Sequence, residues 1–316
     1  MHEIIEKISL DVNIPEEDIY DAITKSHYNY KIIKIKKKCG GYREAIQPST
    51  KLKIVQQWIL FNVLNKLPVS DISTAFRTGD STLKNATLHA KSIFSIRIDI
   101  KDFFNSIKID DLINIIKRSH LDELYKGDSF RKLIAKSCFD ARGRLPIGYL
   151  TSPSISNAVM FDIDNKLSNI SKNKTDYGTA VITRYADDFV FSTDKIGACK
   201  KFYDCLINTI EKEDSPKLYI NEKKTRIMSR RGGSMIITGL LVNNDGMVRA
   251  TKKYRDQFRL LIKLYNQGRL KESEINSLKG HISFIQNVDP RLFTKIAFKY
   301  HDDLDKLIGK KEDFGI

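Results

Sequence analysis

The feature that most constrains this chain is a pair of adjacent aspartates, Asp187 and Asp188, between two short β-rich runs. The runs 180–185 and 189–192 are apolar and rich in β-branched and aromatic residues, which predicts two strands of a hairpin with the aspartates at its tip. Neighbouring like charges repel, and a buried carboxylate without a partner is costly. A divalent cation removes that cost, and carboxylate oxygens are ligands that magnesium and manganese prefer.

The pair alone is a modest signal, because Asp-Asp also forms ordinary polar turns. The run 94–100 alternates isoleucine with polar residues, which predicts a strand with Asp99 on the face opposite to the isoleucines. Alone, Asp99 is best explained as a solvent-facing residue. Together with Asp187 and Asp188 it predicts a catalytic two-metal site, in which Asp99 and Asp187 bind both ions and Asp188 is a weaker ligand. Asp102 is assigned to the surface.

The charge balance favours a polyanionic partner. The 316 residues include 54 Lys and Arg against 39 Asp and Glu, a formal charge of +15, and basic side chains that neutralise phosphates release condensed counterions. The four cysteines are scattered and no histidine cluster lies nearby, which predicts reduced thiols and no zinc site. Glu3 and Glu6 interrupt the apolar start, and no run is long enough for a membrane span, so we expect a cytosolic protein.

Helical and extended patterns are interleaved without strict alternation, which predicts an α+β core and a helical C-terminal piece. The basic run 31–38, the Gly40-Gly41 turn and the run 42–46 predict a β-hairpin. Its lysines fit either a nucleic-acid contact or a solvated edge that discourages aggregation. Further predicted elements are helices within 4–26, over 51–67, 110–120 and 130–139, and from 252 onward, and a strand over 234–242.

Several segments resemble, in order and spacing, the motifs of reverse transcriptases. The three palm motifs are similar to Asp99–Phe104, Leu145–Pro153 and Arg184–Asp188, the preceding fingers motif to Gly41–Ser49, and the following motif to Asn221–Thr225. The resemblance covers residues 36–242. It implies a right-hand polymerase of the α+β class, with fingers, a palm built on an antiparallel sheet with helices, and a short helical thumb.

Two shorter segments narrow the resemblance to bacterial retron reverse transcriptases. Asn85–His89 is similar to their Asn-Ala-x-x-His element, and Ile237–Gly239 to their Val-Thr-Gly element with Ile for Val. We expect no maturase, endonuclease or RNase H domain, because the chain has little length beyond the expected thumb. The implied division is N-terminal helices and fingers over 1–90, a palm over 91–242 with a fingers insertion near 107–145, and a helical thumb over 243–316.

The resemblance also implies a nucleotide pocket. Phe104 lies where related enzymes place an aromatic steric gate against the ribose 2′-hydroxyl, and either Phe103 or Phe104 is expected only to pack. Gly148 and Ser152 are expected in the loop beneath the templating pair. Ile147 stands where many relatives carry Gln, so a polar contact is not expected there.

Basic residues complete the implied site. Arg43, with Lys37 or Lys38, is expected to clamp the incoming triphosphate, because guanidinium groups suit phosphate oxygens. Lys223 or Lys224 is a candidate general acid for the pyrophosphate, or contacts phosphate. The expected RNA and template contacts are Asn85, His89, Thr238, Gly239, Lys252, Lys253, Arg255 and Arg259.

The resemblance implies a specific reaction and specific partners. Two Mg²⁺ ions, which Mn²⁺ can replace, would serve incorporation of deoxynucleoside triphosphates. The enzyme would copy its structured noncoding RNA into branched, 2′–5′ linked single-stranded DNA, and act with a nearby-encoded effector in antiphage defence. The alternatives are a group II intron-like or other bacterial reverse transcriptase with a conventional primer, and a catalytically idle RNA-binding scaffold. An RNA-dependent RNA polymerase is disfavoured because Phe104 would obstruct a ribonucleotide.

Overall fold

The computed structural model describes residues 1–36 and 40–308. The chain forms two compact units: Met1–Gly79 with Ile96–Ile227 form the first, and Asp80–Ser95 with Met228–Ile316 the second. The predicted fingers, palm and thumb boundaries at 90 and 242 stay predictions, because compactness does not define functional subdomains.

Helices make up most of the regular structure, and α3 illustrates how the sequence specifies them. Ser49 caps its start by accepting a hydrogen bond from the Leu52 amide over 3.2 Å. Leu52, Val55 and Ile59 then recur at helical spacing and are fully buried. The helices are α1 His2–Val12, α2 Glu16–Thr24, α3 Thr50–Asn62, α4 Thr82–Leu88, α5 Phe103–Ser106, α6 Ile109–Arg118, α7 Asp128–Cys138, α8 Ser152–Val159, α9 Phe161–Ser171, α10 Lys174–Tyr177, α11 Ala198–Glu211, α12 Lys252–Asn266, α13 Glu272–Val288, α14 Pro290–Lys299 and α15 His301–Ile308.

Within residues 1–36 and 40–308, the strands form three sheets. They are β1 Tyr30–Lys36, β2 Tyr42–Pro48, β3 Phe94–Asp99, β4 Ala180–Tyr185, β5 Asp188–Thr193, β6 Arg226–Ser229, β7 Met235–Ile237, β8 Leu240–Val242 and β9 Val248–Ala250. A two-stranded ribbon pairs β1 with β2, a four-stranded sheet has the order β4-β5-β3-β6, and a three-stranded sheet has the order β7-β8-β9. The predicted α+β class, the basic hairpin and the hairpin that carries the aspartate pair are confirmed.

The prediction of one strand over 234–242 is wrong. The segment forms two antiparallel strands, β7 and β8, with Ile237 opposite Leu240. Thr238 and Gly239 form the turn, with φ values of 46° and 81°. Two successive left-handed residues match the twist of flanking strands, which is why such a pair makes a tight hairpin.

The β1–β2 ribbon is attached to the loop before α8 through the backbone. The Ile46 amide donates to the Ile147 carbonyl over 2.7 Å. Gly148 follows with φ of 106°, and a Cβ at this position would lie 2.5 Å from the Ile46 carbonyl oxygen. Both the left-handed backbone and the close approach therefore require glycine here.

None of the helices in the described part of the chain is long and apolar enough to cross a membrane.

We expect Gly148→Ala to lower the free energy of unfolding by about 1–3 kcal/mol, because the methyl group meets the Ile46 carbonyl and φ is unfavourable. Urea denaturation measures the loss. Gly127→Ala is the matched control, since Gly127 has nothing within 4 Å of an added Cβ and no left-handed φ. Equal effects of the two substitutions would contradict the proposed close approach.

Candidate active site

The aspartate pair lies at the tip of the β4–β5 hairpin. Tyr185 is opposite Asp188, so Ala186 and Asp187 form the turn. Ala186 has φ of 58°, a left-handed conformation that costs an L-residue about 1–2 kcal/mol. Arg184 offsets the strain by donating a hydrogen bond from its guanidinium to the Ala186 carbonyl over 3.1 Å.

A buried ion pair fixes the strand that leads into this turn. The side chains of Arg184 and Asp164 are both 0% exposed. The guanidinium donates to both carboxylate oxygens over 2.7–3.0 Å and to Asn157 Oδ1 over 3.3 Å. Burial raises the pKa of the Asp164 carboxyl, and the Arg184 charge only partly offsets that rise. The pair thus fixes α9 against the strand that carries the aspartates.

Residues 72–75 form backbone hydrogen bonds with the same strand, β4, at Arg184. The Arg184 amide donates to the Ile72 carbonyl over 2.7 Å, and the Thr74 amide donates to the Arg184 carbonyl over 2.9 Å. Asn157 Nδ2 also donates to the Ala75 carbonyl over 2.9 Å. The segment, the strand and α8 are therefore one hydrogen-bonded assembly.

Asp99 ends β3 beside the hairpin tip. The Ile100 amide donates to the Asp187 carbonyl over 2.9 Å, and the Asn221 amide donates to the Asp99 carbonyl over 2.8 Å. The Asp99 side chain is buried, and Lys224 Nζ lies 3.0 Å from each of its carboxylate oxygens. Two strand sites that are distant in sequence thus lie side by side, Asp99 at the end of β3 and Asp187 at the hairpin tip.

Asp188 is held by an arginine that the sequence analysis did not single out. Arg97 donates to both carboxylate oxygens of Asp188 over 2.6–3.0 Å. Arg97 lies two residues before Asp99, so the pleat places both side chains on one face of β3. That alternation was the signal in the sequence, although it did not identify the partner.

The electrostatics of the three carboxylates favours a cationic ligand. Burial raises the pKa of Asp187, and the neighbouring charges of Asp188 and Asp99 raise it further. Burial also raises the pKa of Asp188, although its ion pair with Arg97 opposes the rise. Because only two cationic side chains, Arg97 and Lys224, contact these three carboxylates, a divalent cation would relieve the repulsion between them.

The donor set fits magnesium chemistry without being a closed cage. Among the described residues, no three His, Cys, Asp or Glu side chains converge on one point. Magnesium usually keeps several waters and takes one or two carboxylates together with substrate phosphates. Asp99 and Asp187 meet that requirement, while the carboxylate of Asp188 is directed to Arg97.

A cavity of about 850 Å³ opens above these carboxylates, entirely within the first unit. Asp99 and Asp187 line it on one side, and the β1–β2 ribbon contributes Lys34, Tyr42 and Arg43. A cavity lined by both carboxylates and cations can hold a phosphorylated ligand and its counter-ions.

The predicted pocket residues take different positions. Phe104, Ile147 and Arg43 line the cavity, and so does Phe103, although Phe103 is buried and packs against the Phe104 ring. Lys37, with Lys38, lies outside the described residues, so its predicted role stays a prediction.

Gly148 and Ser152 are not among the residues that line the cavity. The Ser152 hydroxyl is buried and donates to the Pro146 carbonyl over 2.6 Å, which shapes the loop before α8. The structure therefore gives both residues a structural role behind the cavity, and their nucleotide contact stays a prediction.

The two candidate general acids differ in position. Lys224 lines the cavity and contacts Asp99, whereas Lys223 is exposed and is not among the lining residues. Sequence reasoning gave no role to three further cations that line the cavity, Lys101, Arg142 and Arg144. The two arginines flank a Gly in a turn just before the Leu-Pro motif, and nothing in their spacing marked them.

The two retron-like segments meet inside the second unit. Helix α4, which carries Asn85, packs on β8 and β9, and the Thr238 hydroxyl donates to the Thr82 carbonyl over 3.0 Å. Asn85 and His89 are fully buried. Burial lowers the pKa of His89 to about 3, so its imidazole is neutral at physiological pH. Gly239 is exposed at the neighbouring turn.

The predicted basic contacts of the thumb lie on α12. Lys252, Lys253 and Arg259 are exposed and Arg255 is half-buried, while Phe258 faces the core of the second unit. The helix is therefore amphipathic, with its basic residues toward solvent. Their contact with RNA stays a prediction.

Comparison with known proteins identifies the family. Residues 35–276 match the family described as reverse transcriptase (RNA-dependent DNA polymerase). The retron Ec73 reverse transcriptase of Escherichia coli is 39% identical over 85% of this chain and 86% of that protein. The chain is a member of the retron reverse transcriptases. The retron Ec83 reverse transcriptase of Escherichia coli is 28% identical over 98% of this chain and its full length.

This reverse transcriptase also shares its fold with telomerase. Apo telomerase from Candida tropicalis superposes with a TM-score of 0.50 at 14% identity, covering 90% of this chain and 62% of the telomerase chain. The retron enzyme is an RNA-directed DNA polymerase, a family that normally uses divalent metal ions.

We expect Asp164→Asn to lower the free energy of unfolding by about 3–5 kcal/mol, because it leaves the buried Arg184 charge uncompensated. Chemical denaturation measures the loss. The control is Asp204→Asn, which breaks an exposed helical pair with Lys200 and should change stability little. An equally small effect at Asp164 would show that the buried pair does not fix the hairpin.

We expect Asp187→Asn to lower nucleotide incorporation by at least about a hundredfold and to raise the thermal midpoint in EDTA by a few degrees. The folded-state pKa of Asp187 is raised, so its ionised form destabilises the fold. That destabilisation is absent below the usual aspartate pKa and grows as pH rises through the raised value. A thermal midpoint of Asp187→Asn below that of wild type, measured at neutral pH without metal, would contradict this account. Asp204→Asn is again the control variant.

Proposed function

We propose that this enzyme copies part of its cognate structured noncoding RNA into single-stranded DNA that stays joined to the RNA by a 2′–5′ bond. The observation that carries the proposal is the meeting of Asp99 and Asp187 beneath a cavity lined by basic residues. The similarity to retron reverse transcriptases along most of the chain supports the branched product.

We infer that two Mg²⁺ ions, which Mn²⁺ can replace, are held by Asp99 and Asp187, with Asp188 as a weaker ligand. Such ions activate a hydroxyl nucleophile and neutralise the triphosphate. The backbone bond between Ile100 and Asp187 keeps the two carboxylates beside each other. Arg97 orients Asp188, which leaves this carboxylate only partly available to a second cation.

The remaining cavity residues bind and select the deoxynucleoside triphosphate. Arg43, with Lys37 from outside the described residues, is proposed to clamp the phosphates. The Phe104 ring is proposed to exclude the ribose 2′-hydroxyl. Lys224 Nζ lies 3.0 Å from a carboxylate oxygen of Asp99, and we propose Lys224 as the general acid for the leaving pyrophosphate.

The second unit is proposed to hold the RNA. The exposed turn at Thr238 and Gly239, stiffened by α4 beneath it, offers a defined surface for a structured RNA. The basic face of α12 would follow a duplex backbone by charge and shape. Asn85 and His89 are buried, so we propose that they act by shaping this surface.

The proposed setting is the bacterial cytoplasm, where the complex would act with an effector encoded nearby in antiphage defence. Support comes from the retron relatives in Escherichia coli.

We expect the protein expressed with its native locus to co-purify with a short DNA. The DNA should shift in size after treatment with RNase and a 2′–5′ debranching enzyme, and it should be absent from Asp187→Asn, because that variant loses a metal ligand. Denaturing gel electrophoresis of the extracted nucleic acid is the measurement. Asp204→Asn, which leaves the cavity untouched, should yield the same DNA as wild type.

Two other outcomes of this co-purification experiment would favour other functions. Recovery of RNA without DNA from wild type would favour a catalytically idle scaffold. DNA made only from an added primer, with no shift on debranching, would keep the polymerase activity and exclude branched priming.

A further inference from the structure

The ring of Phe104, the proposed steric gate, packs against two other aromatic rings. Phe104 packs edge-on against Phe103, with ring centroids 5.4 Å apart, and against Phe76, with centroids 6.4 Å apart. Phe103 is buried in the core, whereas Phe76 is 50% exposed. Phe76 is therefore an aromatic residue at the surface, and burial in the core does not explain its presence.

The backbone of Phe76 adopts a conformation that its residue type disfavours. Its φ is 64°, and a bulky residue in this region is a true outlier. Such strain persists only where the surroundings impose it, and it clusters at functional sites. A glycine would adopt this φ value without strain. The presence of phenylalanine instead indicates that its side chain has a role at this position.

Hydrogen bonds impose that conformation from both sides. Asn157 Nδ2 donates to the carbonyl of Ala75, the preceding residue, over 2.9 Å. The guanidinium of Arg77, the following residue, donates to the carbonyls of Ser70 and Ser73 over 3.2 and 3.3 Å. Phe76 is thus presented from a closed loop that is also bonded to the strand leading to the aspartates.

A steric gate discriminates only while its ring stays in place. Phe104 lies on the short helix α5 and its ring lines the cavity, so a ring free to swing outward would give room to a 2′-hydroxyl. Phe103 is one ring that restricts the motion of Phe104. Phe76 is a second, at an edge-to-face distance that aromatic pairs favour.

We propose that Phe76 is a positioning residue for sugar selection, which holds the Phe104 ring against the cavity. The inference rests on the proposed role of Phe104. It assigns to the loop before α4 a part in choosing deoxyribonucleotides over ribonucleotides, although the loop does not itself line the cavity.

The test is single-nucleotide extension of a DNA primer on an RNA template, with dGTP or GTP opposite C, for wild type, Phe76→Ala, Phe76→Leu and Phe104→Ala. We expect Phe76→Ala to lower the ratio of kcat/KM for dGTP over GTP about three- to tenfold, the range that an aromatic pair supplies. The loss should come from a lower KM for GTP, with kcat for dGTP nearly unchanged. Phe76→Leu should recover part of the ratio.

A double-mutant cycle separates positioning from a general structural effect. If Phe76 acts through Phe104, Phe76→Ala should change the ratio little in the Phe104→Ala background. Phe61→Ala is the control, because Phe61 is 60% exposed and lies outside the cavity. Thermal melts of each variant establish that it is folded.

Distinct results overturn distinct claims. An unchanged ratio in folded Phe76→Ala, with Phe104→Ala reduced, overturns the positioning role and leaves the gate intact. An unchanged ratio in Phe104→Ala overturns the gate and the inference together. No incorporation of either nucleotide by wild type overturns the polymerase assignment itself; the primer supplied in the assay makes every result independent of branched priming.

Discussion

The buried ion pair between Arg184 and Asp164 is the interaction on which the site depends. The Arg184 guanidinium donates five hydrogen bonds at once: three to the two carboxylate oxygens of Asp164, one to Asn157 Oδ1, and one to the carbonyl of the strained turn residue Ala186. Ion pairs of this kind add little net stability, since desolvation offsets their attraction, but losing one partner is severe. In this protein the pair instead fixes the orientation of the turn. The orientation of the turn determines the position of the Asp187 side chain.

The carboxylates illustrate a conflict between folding and function. Burial and mutual repulsion raise the pKa of Asp187 and Asp188, so the ionised forms that would bind metal are those the fold tolerates least. Arg97 and Lys224 moderate the repulsion without removing it. The same imbalance that weakens the metal-free protein provides the attraction for a divalent cation, which is why loss of an active-site carboxylate is expected to stabilise the metal-free fold.

The second unit shows a short motif acting through packing. Asn85 and His89 belong to a segment that resembles an element of retron enzymes, yet both are buried, and the imidazole is neutral with a pKa of about 3. Helix α4 supports the sheet whose exposed turn carries Thr238 and Gly239. In the sequence, Asn85 and His89 are predicted to contact RNA. In the structure, their side chains are buried and belong to the packing that supports the turn at Thr238 and Gly239.

The local elements and the candidate metal ligands could be predicted from the sequence. Alternation in β3, the hairpin around the aspartates and the basic ribbon follow from periods of two and from turn residues, which are local properties. The tertiary structure alone decided the partners. Arg184 finds Asp164, Arg97 finds Asp188 and Phe76 finds Phe104 across intervals that no periodicity spans. The split of 234–242 into two strands at Thr238 depended on a threonine in a left-handed turn, a conformation that tertiary packing stabilises and local propensity does not predict.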